Sequence, residues 1–198
     1  MEPSRSQPVV AVFGSSTLSA DDPAFEEVRT LGGELARAGF AVMTGGYGGA
    51  MAAASRGANE AGGHVIGVTV ELFEARGAAN EWVHERVHTP NLFARLEYIM
   101  NRADAFVVVR GSIGTLTELF LAWTLAGVQG LPATPVVLMG RHWHEWLKRH
   151  RGPEFVPEHL FRFVEIADTS QAAVRAVAAG LERKRAAVAG ADGARRPA

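Results

Sequence analysis

Two glycine-rich segments carry the first chemistry this chain offers. Thr44-Gly45-Gly46-Tyr47-Gly48-Gly49-Ala50-Met51 and Arg110-Gly111-Ser112-Ile113-Gly114-Thr115 each follow a short apolar run and lead into a stretch of helical periodicity. Glycine lets backbone approach an anion closely, and the first N–H groups of a helix point outward without partners, so a strand–glycine–helix passage suits a phosphate. The same glycines also make tight strand-to-helix turns in proteins that bind nothing. Their repetition at two places favours a phosphate-bearing ligand. The candidate contacts are Gly45, Gly46, Gly48, Gly49 and Met51 in the first segment and Arg110, Gly111, Ser112, Ile113, Gly114 and Thr115 in the second. Ser15 and Ser16, which close the first apolar run, join them near a sugar or base.

Absences narrow the ligand. There is no GxxxxGK[ST] phosphate loop, and the first strand–helix turn, GSSTLS, lacks the GxGxxG of dinucleotide binders. The only lysines, Lys148 and Lys184, lie away from both glycine segments, which argues against a pyridoxal phosphate Schiff base. With no cysteine, the chain has no disulfide, thiol nucleophile, iron–sulfur cluster or Cys-based zinc site.

Two charged residues are candidates for work on such a ligand. Thr115-x-x-Glu118 has the spacing of a capping box, in which the glutamate satisfies a backbone N–H, and spacing alone favours that account. The competing account is a carboxylate held beside a phosphoester, where positive charge develops as a bond breaks. Arg95 shares a helical stretch with Arg102; it is either a solvated surface residue or a planar clamp for an anion. His84-Glu85-Arg86-Val87-His88 spells HExxH, but Val83, Glu85, Val87 and Thr89 alternate and Pro90 follows. That is the pattern of a strand or loop, which cannot present both imidazoles on one helix face, so no zinc site is expected. His142 and His144 flank Trp143 as a partly exposed aromatic helix start rather than a metal site.

The elements that must position these residues alternate in kind. Short apolar runs at Val9–Phe13, Phe40–Met43, Val65–Val70, Ala105–Val109, Pro135–Met139 and Phe163–Ala167 predict buried strands. Between them lie helical patterns. Asp22-Pro23 is an acceptor cap followed by proline at the first helical position, and Gly39 stops that helix. Ala50–Ala61, Leu92–Ala103, Thr115–Ala126, a segment around Trp143 and Trp146, and Ser170 to about Lys184 supply the others. Strands apolar on both faces, alternating with amphipathic helices, predict a doubly wound, Rossmann-like three-layer α/β domain with a mostly parallel sheet of six or seven strands. Ligands of such domains sit beyond the carboxyl ends of the strands, where both glycine segments fall. One domain is expected over residues 1–188, with 189–198 a disordered tail.

Taken together, GGYGGAM, Arg95, Asp104-Ala105-Phe106 and GSIGTLTE resemble the Lonely Guy family, in an unbroken order over residues 8 to 170. The resemblance implies a phosphoribohydrolase that splits a nucleoside 5′-monophosphate, AMP or a related nucleotide, into free base and ribose 5-phosphate without a cofactor. Arg95 and Glu118 fall at the family's catalytic positions. Four residues depart from its pattern: Thr44 for a glycine, Leu96 for a lysine, Arg110 for a proline and Ser112 for a glycine. A Cβ at 112 strains a turn that needs positive φ, while its hydroxyl adds a donor. Arg110 would reach the phosphate or fill the pocket mouth. The wider superfamily also holds proteins that only bind, among them nucleotide sensors and molybdenum-cofactor carriers, and the altered loop points that way. The resemblance further implies a homodimer, for which Phe120, Trp123 and Val128 offer an apolar contact.

Composition fits this picture. Twenty Lys+Arg against 21 Asp+Glu give a net charge of −1, so no basic field draws nucleic acid or an anionic membrane. The start, MEPSRSQPVVAVFGSS, has too short an apolar run for a signal peptide, and no apolar stretch approaches the ~20 residues of a membrane span. A cytoplasmic protein is expected.

Overall fold

Strand β1 (Val9–Phe13) lies at the centre of the sheet because all five of its residues are apolar, and all are buried. The computed structural model describes residues 7–128 and 134–193. Within them β1 is followed by α1 (Pro23–Arg37), β2 (Ala41–Thr44), α2 (Ala50–Glu60), β3 (Val65–Val70), β4 (Glu85–Thr89) and α3 (Leu92–Arg102). Next come β5 (Ala105–Val108), α4 (Ile113–Gly127), β6 (Val136–Met139), α5 (His142–His150), β7 (Val164–Ala167) and α6 (Ser170–Gly193). Two 3-10 segments, Glu71–Arg76 and Glu158–Phe163, lie in the connections.

The sheet has seven strands in the order β4-β3-β2-β1-β5-β6-β7. Every pairing is parallel, so the expected sheet is parallel throughout rather than mostly so. Period-2 alternation divides its side chains between two cores. Val10 and Val12 pack with α1, α2 and α6 on one face, while Val9, Ala11 and Phe13 pack with α3, α4 and α5 on the other. Each fully buried Val, Leu or Phe contributes about 1.5–3 kcal/mol, and these two cores hold the strand ends in place. The order reverses between β1 and β5, and a crevice at that switch is where such sheets bind ligands.

Local signals explain the helix ends. The Asp22 carboxylate accepts from Ala24 N at 2.9 Å with Pro23 in the first turn, as the sequence indicated. The segment over His84–His88, expected as strand or loop, is a strand from Glu85, at the sheet edge, where one face meets solvent and polar residues are tolerated. Two helix boundaries differ from the expectation. Helix α4 starts at Ile113, with Ser112 as N-cap, two residues before the expected Thr115. Helix α6 continues past Lys184 to Gly193, so the tail expected from residue 189 begins as helix; residues 194–198 lie outside the described residues, as do 1–6 at the start of the expected domain. Among the described residues no helix is long and apolar enough to cross a membrane.

Candidate active site

The ends of β1, β2 and β5 are tied together by backbone. Ser15 N donates to Arg110 O at 3.1 Å, and Ala50 N donates to Ser15 O at 2.8 Å. The three loops named in the sequence therefore meet at one place, beside the switch between β1 and β5. The two helix starts are not equivalent, however. Helix α2 gives its first N–H to a protein carbonyl, which leaves less of its start for an anion. Helix α4 has no side-chain cap, and its first intrahelical bond runs from Leu116 N to Ser112 O. The N–H groups of Ile113, Gly114 and Thr115 precede that bond, so the second glycine segment has the better anion-binding geometry.

Ser112 sits at φ −101° and ψ −158°, an extended conformation any residue adopts. The serine that departs from the family glycine is thus unstrained. Gly111 does need to be glycine: a Cβ there would overlap the buried Thr115 side chain. Thr44, another departure, uses its hydroxyl, which accepts from Gly46 N at 3.1 Å and pairs with Ser55 Oγ at 3.2 Å.

Arg95 and Glu118 come together. Arg95 projects from α3 into the protein, 6% exposed. Its Nε donates to Val68 O at 2.8 Å and its Nη1 to Glu118 Oε1 at 3.4 Å. Gly45 makes the space for it, because a Cβ at that position would overlap the guanidinium and touch the Met51 sulfur. The capping-box account of Glu118 fails here. Since α4 starts at Ile113, Thr115 lies inside the first turn and is not the cap; Glu118 lies a turn further on, and its carboxylate faces Arg95. Burial pushes the Glu118 carboxyl up to about 7, with the Arg95 charge and hydrogen bond pulling the other way.

Sequence reasoning missed two residues around the first glycine segment. Asn80 N donates to Gly46 O at 2.7 Å and Asn80 Nδ2 to Tyr47 O at 2.9 Å, so this side chain clamps the loop from above. The Tyr47 hydroxyl accepts from Val70 N at 2.9 Å and donates to Val70 O at 3.0 Å, fixing the loop to the end of β3. Neither residue sits in a periodic pattern that would have marked it.

A cleft of about 710 Å³ opens over the ends of β1, β5, β6 and β7, lined by Ser15, Arg110, Gly111, Ser112, Arg141 and His142 among others. Burial, reinforced by the charge of Arg110, holds the His142 imidazole below its usual range. Arg95 and Glu118 do not line this cleft. The Gly111–Ser112 turn at the head of α4 therefore borders the cleft on one side, and the buried pair lies deeper along the helix. Ser16 lies outside the cleft lining, its carbonyl 3.7 Å from where a Cβ on Gly48 would stand. Gly114 faces open space. Of the apolar contact surface expected around Phe120, Trp123 and Val128, Trp123 is interior at 2% exposure and donates its indole N–H to Leu160 O, while Phe120 and Val128 are exposed. Among the described residues no cluster of metal-ligating side chains is present.

Comparison with known proteins gives a consistent neighbourhood. A family model described as the SLOG cluster4 family matches residues 7–145. The cytokinin riboside 5′-monophosphate phosphoribohydrolase of Mycobacterium tuberculosis is 31% identical over 142 residues, covering 69% of this chain and 75% of that protein. Among solved structures, the molybdenum cofactor binding protein of Rippkaea orientalis superposes with a TM-score of 0.70 at 22% identity, over 89% of this chain and 98% of that one. The molybdenum cofactor carrier protein of Chlamydomonas reinhardtii gives 0.69 at 24% identity, over 89% and 99%. At those identities the structural likeness speaks for the fold alone.

Proposed function

The chain belongs to the SLOG cluster4 family, and from that premise we propose that it is a phosphoribohydrolase acting on nucleoside 5′-monophosphates, AMP or a related nucleotide. The observation that carries this reading is the Arg95–Glu118 pair, buried beside Gly45 and one helical turn from the open start of α4. The relative from Mycobacterium tuberculosis, named for this activity, supports it.

In the proposed reaction the 5′-phosphate sits on the N–H groups of Ile113, Gly114 and Thr115, with Gly111, Ser112, Ser15 and the Gly45–Gly49 loop around it. Cleavage of the glycosidic bond sends its electron pair to the base and builds oxocarbenium character at C1′. The Glu118 carboxylate stabilises that charge and takes a proton from the attacking water, whose oxygen bonds to C1′. The departing base takes a proton in turn, and the products are free base and ribose 5-phosphate. A carboxyl poised near neutrality is suited to passing protons at physiological pH. Arg95 orients the sugar against Glu118.

A homodimer with sites close to its interface and a cytoplasmic location complete the proposal. The second reading, a protein of this family that binds a nucleotide or molybdenum cofactor without cleaving it, is favoured by the altered RGSIGT loop. Incubating the full chain with AMP and separating the products by chromatography distinguishes the two: hydrolysis yields adenine and ribose 5-phosphate in equal amounts, whereas pure binding leaves AMP intact.

A further inference from the structure

The end of β2 faces two ways. Thr44, its last residue, turns its side chain toward α2, while Gly45, the next residue, lies against the Arg95 guanidinium of α3 on the opposite side of the sheet. Thr44 and Ser55 of α2 are both buried, so their hydroxyls have no bulk water to turn to. They pair at 3.2 Å, and Thr44 Oγ1 also accepts from Gly46 N at 3.1 Å. Gly46, at φ +78°, gives its carbonyl to Asn80 N at 2.7 Å, so it is held at both ends in a conformation that favours glycine. Glycine at 44, the residue of the family pattern, would offer Gly46 N no such acceptor.

This anchoring reaches the reacting pair. Arg95 Nε is fixed by Val68 O, which leaves the direction of the Nη end to the wall formed by Gly45 and the Met51 sulfur. At 3.4 Å the contact from Arg95 Nη1 to Glu118 Oε1 is long for a charge-assisted bond, so a small displacement of the guanidinium makes or breaks it. Glu118 is the one ionisable residue of α4, β1 and β5 carry none, and Arg95 is the group that reaches it from α3. We infer that Thr44 is a positioning residue for the proposed hydrolysis: its hydroxyl, clamped against Ser55, fixes the Gly45–Gly46 turn as the wall that sets how Arg95 meets Glu118. The inference rests on the hydrolase reading for its effect on turnover, while the coupling itself is read at Glu118.

Titration of the Glu118 carboxyl in the full chain by carboxyl-carbon NMR, with the Glu118→Gln spectrum identifying its resonance, tests this beside base release from AMP. Thr44→Val keeps the shape and removes the hydroxyl. The Arg95 charge draws the Glu118 carboxyl down, so a guanidinium without its wall is expected to raise the midpoint by about half a pH unit or more. The same variant is expected to lower kcat/KM for AMP at least ~10-fold. Thr44→Ser keeps the acceptor and is expected to restore both. A hydroxyl that matters to folding alone would lower the melting temperature of Thr44→Val and leave the midpoint in place, which overturns the inference. A midpoint displaced as far in Thr44→Ser overturns it too, because the methyl group would then be responsible. Should Thr44→Val fail to fold, Ser55→Ala decides alone: it frees the Thr44 hydroxyl from behind, places a strong helix former in α2, and is expected to move the midpoint the same way. Base release by the wild type with an unmoved midpoint keeps the hydrolase and ends the positioning role. A raised midpoint in a chain whose wild type releases no base keeps the coupling and ends the hydrolase.

Discussion

Arg95 Nη1 and Glu118 Oε1, 23 residues apart in the chain, stand 3.4 Å apart in the fold, with the arginine anchored at its other end to the carbonyl of Val68. The pair joins α3 to α4 at the carboxyl end of a parallel sheet. Its side chains are only 7% and 13% exposed, which makes the protonation state of Glu118 a property of the fold as much as of solution pH.

Glu118→Gln removes the carboxylate and keeps the shape. Turnover is expected to fall at least ~10²-fold, read as base released from AMP. Stability moves the other way with pH. The folded-state carboxyl titrates near 7 and the unfolded one near 4.5, so the folded protein holds the extra proton between those values and its stability falls as pH rises through that window. The penalty reaches at most about 3 kcal/mol above pH 7. The variant never ionises, so its melting temperature relative to wild type is expected to rise from pH 5 to pH 8. A constant difference across that range would show that Glu118 is not raised.

Arg95→Met withdraws the charge that holds the Glu118 pKa down. The acid limb of the AMP activity profile is expected to shift to higher pH in whatever activity remains, and kcat/KM to fall at least ~10²-fold. An unmoved limb would mean that the two residues do not share a titration.

Much of this was legible in the residues. Strands such as Val9–Phe13, apolar at every position, announced a sheet covered on both faces, and Asp22-Pro23 fixed a helix start that the fold keeps. Spacing alone favoured a capping box at Glu118 because Ser112 and Thr115 are both cap-type residues three positions apart, while the family resemblance placed Glu118 at a catalytic position. Local spacing left Arg95 open between a solvated surface residue and an anion clamp, because the contact that decides it, with Glu118, comes from another helix. Strand β4 was ambiguous because an edge strand need be apolar on only one side. Asn80 was invisible: its meaning depends on the chain folding back over Gly46 and Tyr47, which no local periodicity encodes.

Gly45→Ala and Gly114→Ala separate packing from binding. A methyl at 45 drives into the Arg95 guanidinium and Met51, so it is expected to cost about 1–3 kcal/mol and at least tenfold in activity. A methyl at 114 meets nothing and replaces glycine inside a helix, so stability is expected to stay level or rise by up to about 1 kcal/mol. AMP affinity in Gly114→Ala is expected to drop nonetheless, because the methyl stands over the first N–H groups of α4. Unaltered affinity, measured by calorimetry, would place the phosphate elsewhere.

Asn80→Ala leaves the bond from its own backbone N–H to Gly46 but releases Tyr47 O and Trp82 N. The expected cost is about 1–2 kcal/mol in stability, with KM for AMP raised more than kcat is lowered, since the loop positions substrate rather than reacting. A pure loss of kcat at constant KM would contradict this positioning role.

The pH dependence of adenine release from AMP by the wild-type chain, measured beside Glu118→Gln under the same conditions, tests the central claim most directly. The account predicts equimolar adenine and ribose 5-phosphate from the wild type, kcat/KM falling with acid along a limb near pH 7, and a Gln variant at least ~10²-fold slower without that limb. A wild type that binds AMP but releases no base at any pH, or a Gln variant as fast as wild type, would contradict it.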